Sequence, residues 1–216
     1  MAIYAVMTGD IVDSSLLTHQ ERASLLQLLD VVFAEIKEEE KAVKKSFEIF
    51  RGDSFQGLLN DPGPALRLAL KIRLKLIADK EKMHPNDWDA RIAIGIGEVS
   101  YQAEYVSTSD GPAFRYSGPI LDEMKREDRI KITSFDAEFN EEMKVSCSLL
   151  DAVSSRWTSR QAAVMLEAMK GLKQGEIAAK LGISQPAISK MLTISHWDAL
   201  ESMMKRYETL VNRFTL

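Results

Sequence analysis

The order of strand-like and helix-like segments is the feature that most constrains how this 216-residue chain can fold. Alternating or β-branched apolar residues predict strands, and apolar residues spaced three and four apart predict helices. Between residues 2 and 154, these patterns follow each other in the order β-α-β-β-α-β-α-β-α. The first six segments form a split βαβ unit, so the sequence predicts an α/β fold.

The segments that make up this pattern are short and are separated by turn signals. Strands are predicted in residues 2–8, in the two halves of "SFEIFRGDSFQGLL", in "ARIAIGIGEV" and in "RIKITS". Helices are predicted in residues 19–42, in "DPGPALRLALKIRLKLIADKEK", in "PILDEMKRED" and in residues 135–154. The triplet Arg51-Gly52-Asp53 predicts a tight hairpin. The stretch "DGPAFRYSG", which contains Gly and Pro, is predicted to be a loop.

The composition excludes several classes of protein. The chain is 45% hydrophobic and 28% charged, which is typical of a soluble globular protein, and no apolar run approaches the ~20 residues of a membrane span. The start "MAIYAVMTGD" lacks the positive region of a signal peptide. Cys147 is the only cysteine, so no intrachain disulfide can form, and we expect a cytoplasmic location. The scattered His19, His84 and His196 argue against a histidine-based zinc site.

Charge is distributed unevenly along the chain. From Asp151 onward, nine Lys/Arg face six Asp/Glu, a net charge of +3, which leaves −7 for the first 150 residues of a chain whose total is −4. An acidic body with a basic tail predicts two modules, and nucleic acid is a candidate partner of the second. We place the boundary in "DAVSSRWTSR", which gives domains 1–152 and 153–216.

The stretch "KQGEIAAKLGISQPAISKML", residues 173–192, has the spacing of a helix-turn-helix. Ala178 is the small residue needed where the two helices touch, Gly182 is the turn glycine, and Ile188 belongs to the inner face. The rest of the inner face is predicted to be Ile177, Leu181, Ile183 and Leu192. Ser184 is predicted to cap the second helix. Pro186 falls in its first turn, where a missing N–H costs little.

Together with "WTSRQAAVMLEAMKGL" before it, this stretch resembles the helix-turn-helix of many bacterial transcription regulators. The resemblance implies DNA as a partner. The predicted DNA-binding residues are then Ser184, Gln185, Ser189 and Lys190, because Gln can bond adenine while Ser and Lys reach base edges or phosphates. The alternative is a helical hairpin that merely packs on the body.

The last segment of the chain carries an apolar stripe at three- and four-residue spacing. It consists of Trp197, Leu200, Met203, Met204, Tyr207, Leu210, Val211 and Phe214. A single helix-turn-helix contacts few phosphates and binds weakly, so a homodimer is expected. The stripe could serve dimerisation, or it could pack on its own helix-turn-helix.

Two aspartates directly follow glycines at the predicted ends of strands. Asp10 lies in "TGDIVDS" and Asp53 in "FRGDSF". In a βαββαβ sheet the end of the first strand and the central hairpin lie side by side, so the two carboxylates are predicted to converge. Two carboxylates and a backbone carbonyl suit Mg²⁺ shared with a triphosphate. The alternative is that both are ordinary turn residues, and Asp13 is predicted to cap the following turn locally.

"GDIVDS", "FEIFRGDSFQ" and "RIAIGIGEV" resemble, in order and rough spacing, the class III nucleotidyl cyclase domain, and "FRGDSF" is similar to the GGDEF signature of diguanylate cyclases. With "GPAFRYSG" and the C-terminal motif, the whole chain resembles the bacterial SatD family. The resemblance implies a ferredoxin-like palm fold. It also implies Asp10 and Asp53 as ligands of Mg²⁺ or Mn²⁺, the carbonyl of Ile11 as a third ligand, and a nucleotide as a bound molecule.

The chain also departs from the cyclase pattern. Adenine-reading cyclases have a lysine four residues before the hairpin aspartate, where this chain has Ile49. Counted from Gly118, Asp122 and Arg126 have the four-residue helical spacing of the transition-state asparagine and arginine, which makes Arg126 the candidate catalytic residue. Arg51, Arg91 and Arg115 are either phosphate ligands or solvent-exposed arginines.

Three functional hypotheses follow. The first is a DNA-binding transcriptional regulator whose palm domain senses a nucleotide or mediates dimerisation. The second is a Mg²⁺-dependent nucleotidyl cyclase or a related nucleotide-converting enzyme. The third is a palm domain that serves only as a dimerisation scaffold.

Overall fold

The structure is a computed structural model that describes residues 2–50, 52–79 and 88–214. Its sheet has five strands in the order β2-β3-β1-β4-β5. The strands are β1 Tyr4–Ile11, β2 Val43–Phe50, β3 Ser54–Leu59, β4 Ala90–Gly97 and β5 Ile130–Ser134. Neighbouring strands run antiparallel except β4 and β5, which are parallel.

The first four strands form the predicted split βαβ sheet. Helices α1 (His19–Glu39) and α2 (Ala65–Ala78) connect them, and the strand order β2-β3-β1-β4 is that of the palm. The hairpin at Gly52 joins β2 to β3, and Gly52 takes the positive φ of 82° that favours glycine there. The α/β prediction is therefore confirmed. The predicted continuation of α2 beyond Asp79 falls largely outside the described residues.

One face of the sheet is buried against α1 and α2. Its apolar side chains alternate with those of the opposite face, as strand geometry requires. Phe47 and Phe55 of the hairpin pack on Phe33 of α1, with ring centroids 4.9 and 5.3 Å away. A capping box at Thr18 and Glu21 begins α1, because each side chain satisfies a backbone N–H of the other's turn.

The opposite face is crossed by α3 (Pro112–Glu123), which packs on β4, β1 and β5. Because this helix starts at Pro112, the prediction of a loop over "DGPAFRYSG" is wrong. Proline in the first helical turn lacks only an N–H that has no partner there. Close approach is possible because Gly95 of β4 has no side chain under α3.

Gly95→Ala is expected to destabilise the protein. A Cβ at this position would collide with the carbonyl oxygen of Ala113 and lie 2.7 Å from the amide nitrogen of Ser117. Forcing backbone apart in this way costs about 1–3 kcal/mol. The control is Gly118→Ala within α3, where a Cβ meets nothing within 4 Å. In urea denaturation, Gly118→Ala should be neutral or stabilising, and equal losses in both variants would contradict the close-approach explanation.

Five helices follow β5. They are α4 Ala137–Ser154, α5 Ser159–Met169, α6 Gln174–Leu181, α7 Gln185–Ile194 and α8 Trp197–Val211. Between α6 and α7, Gly182 has a left-handed φ of 65°, as predicted for the turn glycine. The residues predicted for the inner face of this pair lie in one cluster around buried Ile177, Ile188 and Val164.

Helix α8 packs its apolar stripe into the main hydrophobic core, where it contacts α2 and α4. Tyr207 is fully buried and donates a hydrogen bond of 2.9 Å to the carbonyl oxygen of Pro62, and its ring lies 6.2 Å from that of Phe139. Arg206 pairs with Glu142 of α4. Neither interpretation of the stripe, as a dimer contact or as cover for α6 and α7, included this contact with the palm; α8 also contacts α7, and a dimer contact stays a prediction. The boundary predicted between residues 152 and 153 falls within α4 and stays a prediction.

Candidate functional site

The topology brings Asp10 and Asp53 to the same edge of the sheet. Asp10 is the penultimate residue of β1 and lies opposite Ser54 of β3. One residue further on, the amide nitrogen of Ile11 donates to the carbonyl oxygen of Asp53 at 3.2 Å. This is the neighbourhood that the order of the strands predicts. Asp10 and Asp53 are both partly exposed, whereas the side chain of Ile11 is buried.

Asp53 is bonded by hydroxyl groups. Ser14, on a short 3₁₀ turn after β1, donates a hydrogen bond to Oδ2 of Asp53, and Ser54 donates one of 3.4 Å to Oδ1. Arg22 of α1 donates to the carbonyl oxygen of Ser14 and fixes that turn. Within the described ranges, no lysine or arginine forms a salt bridge with Asp53. Its carboxylate thus has hydroxyl partners but no ion-pair partner among the described residues, at a partly exposed position.

Asp10 has a guanidinium partner that the sequence did not identify. Arg91 of β4 lies directly opposite it and donates through Nε and Nη2 to its two carboxylate oxygens, at 2.9 and 2.5 Å. Its Nη1 donates to the carbonyl oxygen of Met124, 2.7 Å away. The hydrogen bond with Asp10 is the main reason that the pKa of Arg91 lies above its ordinary value. Asp10 therefore faces a permanent positive charge.

One row of side chains crosses four strands at this edge of the sheet. Phe50 pairs with Ser54, Ser54 with Asp10, and Asp10 with Arg91, so all four side chains share one face. We call these four residues the edge row. All four are partly exposed.

The next row inward on the same face is closed. Gln56 donates to Thr8 at 2.9 Å, and Thr8 donates to Ser117 of α3 at 3.0 Å. All three side chains are buried. The polar groups of this second row are thus satisfied among themselves. The edge row, by contrast, is partly exposed to solvent.

Arg126 lies beside the edge row, but not on a helix. Helix α3 ends at Glu123, so the helical spacing predicted for Asp122 and Arg126 is wrong. The reason is local: Met124 leaves the helix in an extended conformation, and Arg91 binds its carbonyl oxygen. Arg126 is largely exposed and donates to Oδ2 of Asp13 at 2.9 Å.

Asp13 does not cap the turn that follows it. It occupies the cap position of the 3₁₀ turn in a left-handed conformation, φ 55°, but its side chain makes no capping bond there. Its carboxylate accepts from Arg126 instead. The two residues line a cleft of about 240 Å³ together with Ile11, Val12 and Arg91.

Arg115, another arginine named from the sequence, lies away from this site. Arg115 pairs with Asp110 at the start of α3, at an exposed position. Arg51 lies outside the described residues. Ser14 and Arg22 were missed, because an isolated serine or arginine carries no periodic signal. Arg91 was named from the sequence, but its pairing with Asp10 was not predicted.

Asp10 and Asp53 would supply two carboxylates to a cation, and no third acidic side chain of the described residues is placed to join them. In the part of the chain that the structure describes, no group of three or more His, Cys, Asp or Glu side chains is placed to hold a metal ion. Any cation at this edge therefore needs backbone carbonyls, water or a ligand's own oxygens to complete its coordination. Mg²⁺ tolerates such a site, because it commonly keeps waters and shares substrate phosphates.

The residues predicted to bind DNA are only partly presented to solvent. Ser184, Gln185 and Lys190 are exposed on α7. Ser189 is half-buried and lines a cleft with Trp197 of α8, so it is less accessible than the other three, and its role stays a prediction. Ser184 occupies the N-cap position without a side-chain capping bond.

Two of the nearby lysines are neutralised. Lys170 and Lys180 both pair with Glu167 of α5. Part of the positive charge predicted for this module is thus neutralised by salt bridges within the module. Lys190 forms no salt bridge among the described residues, so its ammonium is available to a ligand.

The strand order β2-β3-β1-β4 with its two connecting helices is that of an α/β palm fold. The chain belongs to the SatD family, which it matches over residues 4–205. No curated protein matches the chain. No helix in the described ranges combines the length and apolar character that crossing a membrane requires.

Two solved structures are similar to this chain. One is the catalytic core of a rhodopsin-guanylyl cyclase with converted specificity in complex with ATPαS; it is 16% identical, with 57% of this chain and 73% of that one covered and a TM-score of 0.46. The other comes from a structure analysis of adenylate cyclases from Trypanosoma brucei in their monomeric state. It is 15% identical, covers 58% of this chain and 80% of that one, and has a TM-score of 0.35.

Proposed function

We propose that the edge of the palm sheet binds a nucleoside triphosphate together with a divalent cation. The observation that carries this proposal is the joint placement of Asp10 and Asp53, with the carboxylate of Asp53 left without a cationic partner in the described part of the chain. Arg91 and Arg126 line the adjoining cleft. Guanidinium groups are suited to phosphate oxygens, since they donate two parallel hydrogen bonds.

The residues fit Mg²⁺ or Mn²⁺ by the chemistry of their donors. Asp10, Asp53 and the backbone carbonyl of Ile11 are hard oxygen ligands of the kind these cations prefer. The cation would neutralise part of the charge of the triphosphate. Arg91 holds both carboxylate oxygens of Asp10, so cation binding requires Arg91 to release at least one of them. A phosphate group offers the released guanidinium a new partner.

Binding and turnover are separate hypotheses, and one experiment distinguishes them. Titration of each nucleoside triphosphate by calorimetry, with and without Mn²⁺, should give binding that requires the cation. Mass spectrometry of the same mixtures then reports any cyclic or dephosphorylated product. A product would make the protein a nucleotidyl-cyclase-like enzyme, whereas binding without product would make the palm a nucleotide sensor. Absence of cation-dependent binding for all four nucleotides would refute the proposal.

Compared with the site of a nucleotidyl cyclase, this site keeps the two aspartates but lacks the base-reading lysine, which favours nucleotide binding over rapid turnover. Ile49, at the position of the base-reading lysine, packs against the main core instead of facing the site. Arg126 is bound to Asp13 and is largely exposed. The two aspartates of the proposed cation site share one edge of the sheet, while the groups that would stabilise a transition state are not preorganised.

We propose DNA binding by α6 and α7 as a second function. The observation that favours it is the combination of the left-handed Gly182 turn with exposed Gln185 and Lys190 at the start and middle of α7. A second helix entering the major groove with its N-terminal residues is the usual docking mode of this motif. A homodimer would present two such helices, because one module binds too few phosphates.

Lys190→Ala and Gln185→Ala are expected to affect DNA binding differently. Loss of a phosphate contact at Lys190 should weaken binding to every sequence and lower the salt slope by about 1, while loss of Gln185 should cost about 1–3 kcal/mol at one base position. Both effects can be measured by fluorescence anisotropy, with duplex DNA from the region upstream of the gene that encodes the protein. The control is Lys205→Ala, an exposed lysine paired with Glu201 on α8. Unchanged binding by both α7 variants would remove DNA from the proposal.

A further inference from the structure

We infer that Phe50 is the platform on which the nucleobase stacks, and that the nucleotide lies along the edge row with its phosphates at the Arg91 end. This inference rests on the proposed nucleotide site and adds the direction of the ligand and the residue that contacts its base. The placement of Asp10 and Asp53 alone determines neither the direction of the ligand nor the residue that contacts its base.

The first observation is the face on which Phe50 lies. Phe47 and Ile49 of β2 belong to the main core on the α1 and α2 side. Successive side chains of a strand point to opposite faces, so Phe50 lies on the other face, with the edge row. Its register partner is Ser54, which is the register partner of Asp10. Phe50 is therefore two strands away from the proposed cation ligand.

The second observation is that the Phe50 ring lacks the packing of its neighbours. Phe47 and Phe55 are buried and form ring contacts with Phe33. Phe50 is only half-buried and belongs to none of the hydrophobic clusters formed by the described residues. An aromatic ring at the rim of a polar row, outside the core, is a surface on which a flat ligand can stack.

The third observation is the order of chemical groups along the row. From β2 to β4 the row presents an aromatic ring, a hydroxyl, a carboxylate and a guanidinium, and the Arg126 cleft continues it beyond Arg91. Neighbouring strands are about 4.8 Å apart, so Phe50 and Arg91 are separated by about 14 Å. That distance exceeds the size of a single phosphate. The order matches a base, a sugar, a cation-bound phosphate and a terminal phosphate.

The same geometry limits how well the base can be identified. Glu48, the acidic residue of β2, lies on this face and accepts hydrogen bonds from the amide nitrogens of Val106 and Ser107. Its carboxylate is thus already engaged and does not read a base edge. Stacking alone is tolerant of base identity, since every base has a π-face. We therefore expect ATP and GTP to bind with similar affinity.

The test compares nucleotides with a ligand that lacks a base. Full-length protein, Phe50→Leu and Phe50→Tyr are titrated with ATP, GTP and inorganic tripolyphosphate in the presence of Mn²⁺. Loss of one stacking contact should weaken ATP and GTP binding by about 10-fold in Phe50→Leu. Tripolyphosphate affinity should stay within about twofold, because no phosphate contact changes. Phe50→Tyr retains a ring and should bind all three ligands as the wild type does.

The outcomes separate this inference from the function on which it rests. If wild-type protein binds neither nucleotide nor tripolyphosphate, the proposed site and the inference both fail. If it binds nucleotides and Phe50→Leu leaves the preference for ATP over tripolyphosphate unchanged, the inference is overturned while the site stands. Phe50→Leu could instead lose affinity equally for all three ligands while its circular dichroism spectrum stays native. That result would mean that Phe50 maintains the shape of the site, and it would also overturn the stacking role.

Discussion

Asp89→Ala is expected to lower the free energy of unfolding by about 3–5 kcal/mol, the cost of leaving a buried charge without its partner. Asp89 precedes β4 and binds Arg73 of α2 through two hydrogen bonds of 2.9 Å. The side chain of Arg73 is completely buried. Without Asp89, its guanidinium would keep its charge and lose its counter-ion.

The loss should extend beyond one ion pair. Arg129 also donates to Asp89, at 2.9 Å. Arg73 further donates to Ser154 at the end of α4, and its guanidinium lies 5.6 Å from the ring centroid of Trp157. The network therefore joins the palm to the start of the C-terminal helices. A network of this kind loses more on removal of its centre than a pairwise contact would suggest.

Asp110→Ala is the matched control for this prediction. Asp110 is also bound by two nitrogens of one arginine, Arg115, and also accepts from the amide nitrogen of the next residue, as Asp89 does from Ala90. The two aspartates differ in burial, since the Asp110 pair is exposed to solvent. Urea denaturation should therefore show almost no change in Asp110→Ala. Similar losses in the two variants would contradict the role of burial.

The difference in free energy of unfolding between the wild type and Asp89→Ala should depend on pH in a defined direction. Burial alone would raise the pKa of Asp89, but the guanidinium groups of Arg73 and Arg129 hold it below its ordinary value. A carboxyl group with a lowered folded-state pKa contributes stability above its unfolded-state pKa and loses it as the pH falls through the folded-state value. This difference in free energy of unfolding should stay constant near neutral pH. It should become smaller only below about pH 4, the ordinary pKa of an aspartate side chain.

The sheet was predictable because its signal is periodic. The strand alternation in "ARIAIGIGEV" and the glycine-centred hairpin fix both the elements and their order, and the split βαβ connectivity then places Asp10 near Asp53. The start of α3 was not predictable in the same way. Gly111, Pro112 and Gly118 are turn residues by propensity, and only contact with β4 makes them part of a helix boundary or interior.

The partners of exposed or polar residues could not be predicted from spacing. Arg91 meets Asp10 because two strands 81 residues apart pair in one register, and no local pattern encodes that register. The stripe of α8 shows the same limit. An amphipathic pattern predicts that a face is buried, but not which surface buries it, and here that surface includes the palm.

Asp53→Asn is expected to abolish cation-dependent nucleotide binding. Loss of groups that merely orient a metal ligand costs 10–100-fold in affinity, so loss of a charged ligand should cost at least about 100-fold. The substitution preserves the shape of the side chain. Its amide oxygen can still accept from Ser14, and the Ser54 hydroxyl, which donates to the other carboxylate oxygen in the wild type, can rotate to accept from the new amide nitrogen. The fold should therefore survive, which a thermal unfolding midpoint close to that of the wild type would show.

The control for Asp53→Asn is Asp30→Asn, which removes the same single charge from an exposed position on α1. Calorimetric titration with Mn²⁺ and ATP should give wild-type affinity for Asp30→Asn and no measurable binding for Asp53→Asn. If the cation is held as proposed, raising the Mn²⁺ concentration should partly restore binding to Asp53→Asn, because the remaining ligands are intact. Binding that is unchanged in Asp53→Asn, or that no longer depends on Mn²⁺ in any variant, would mean that Asp53 serves the hairpin rather than a cation.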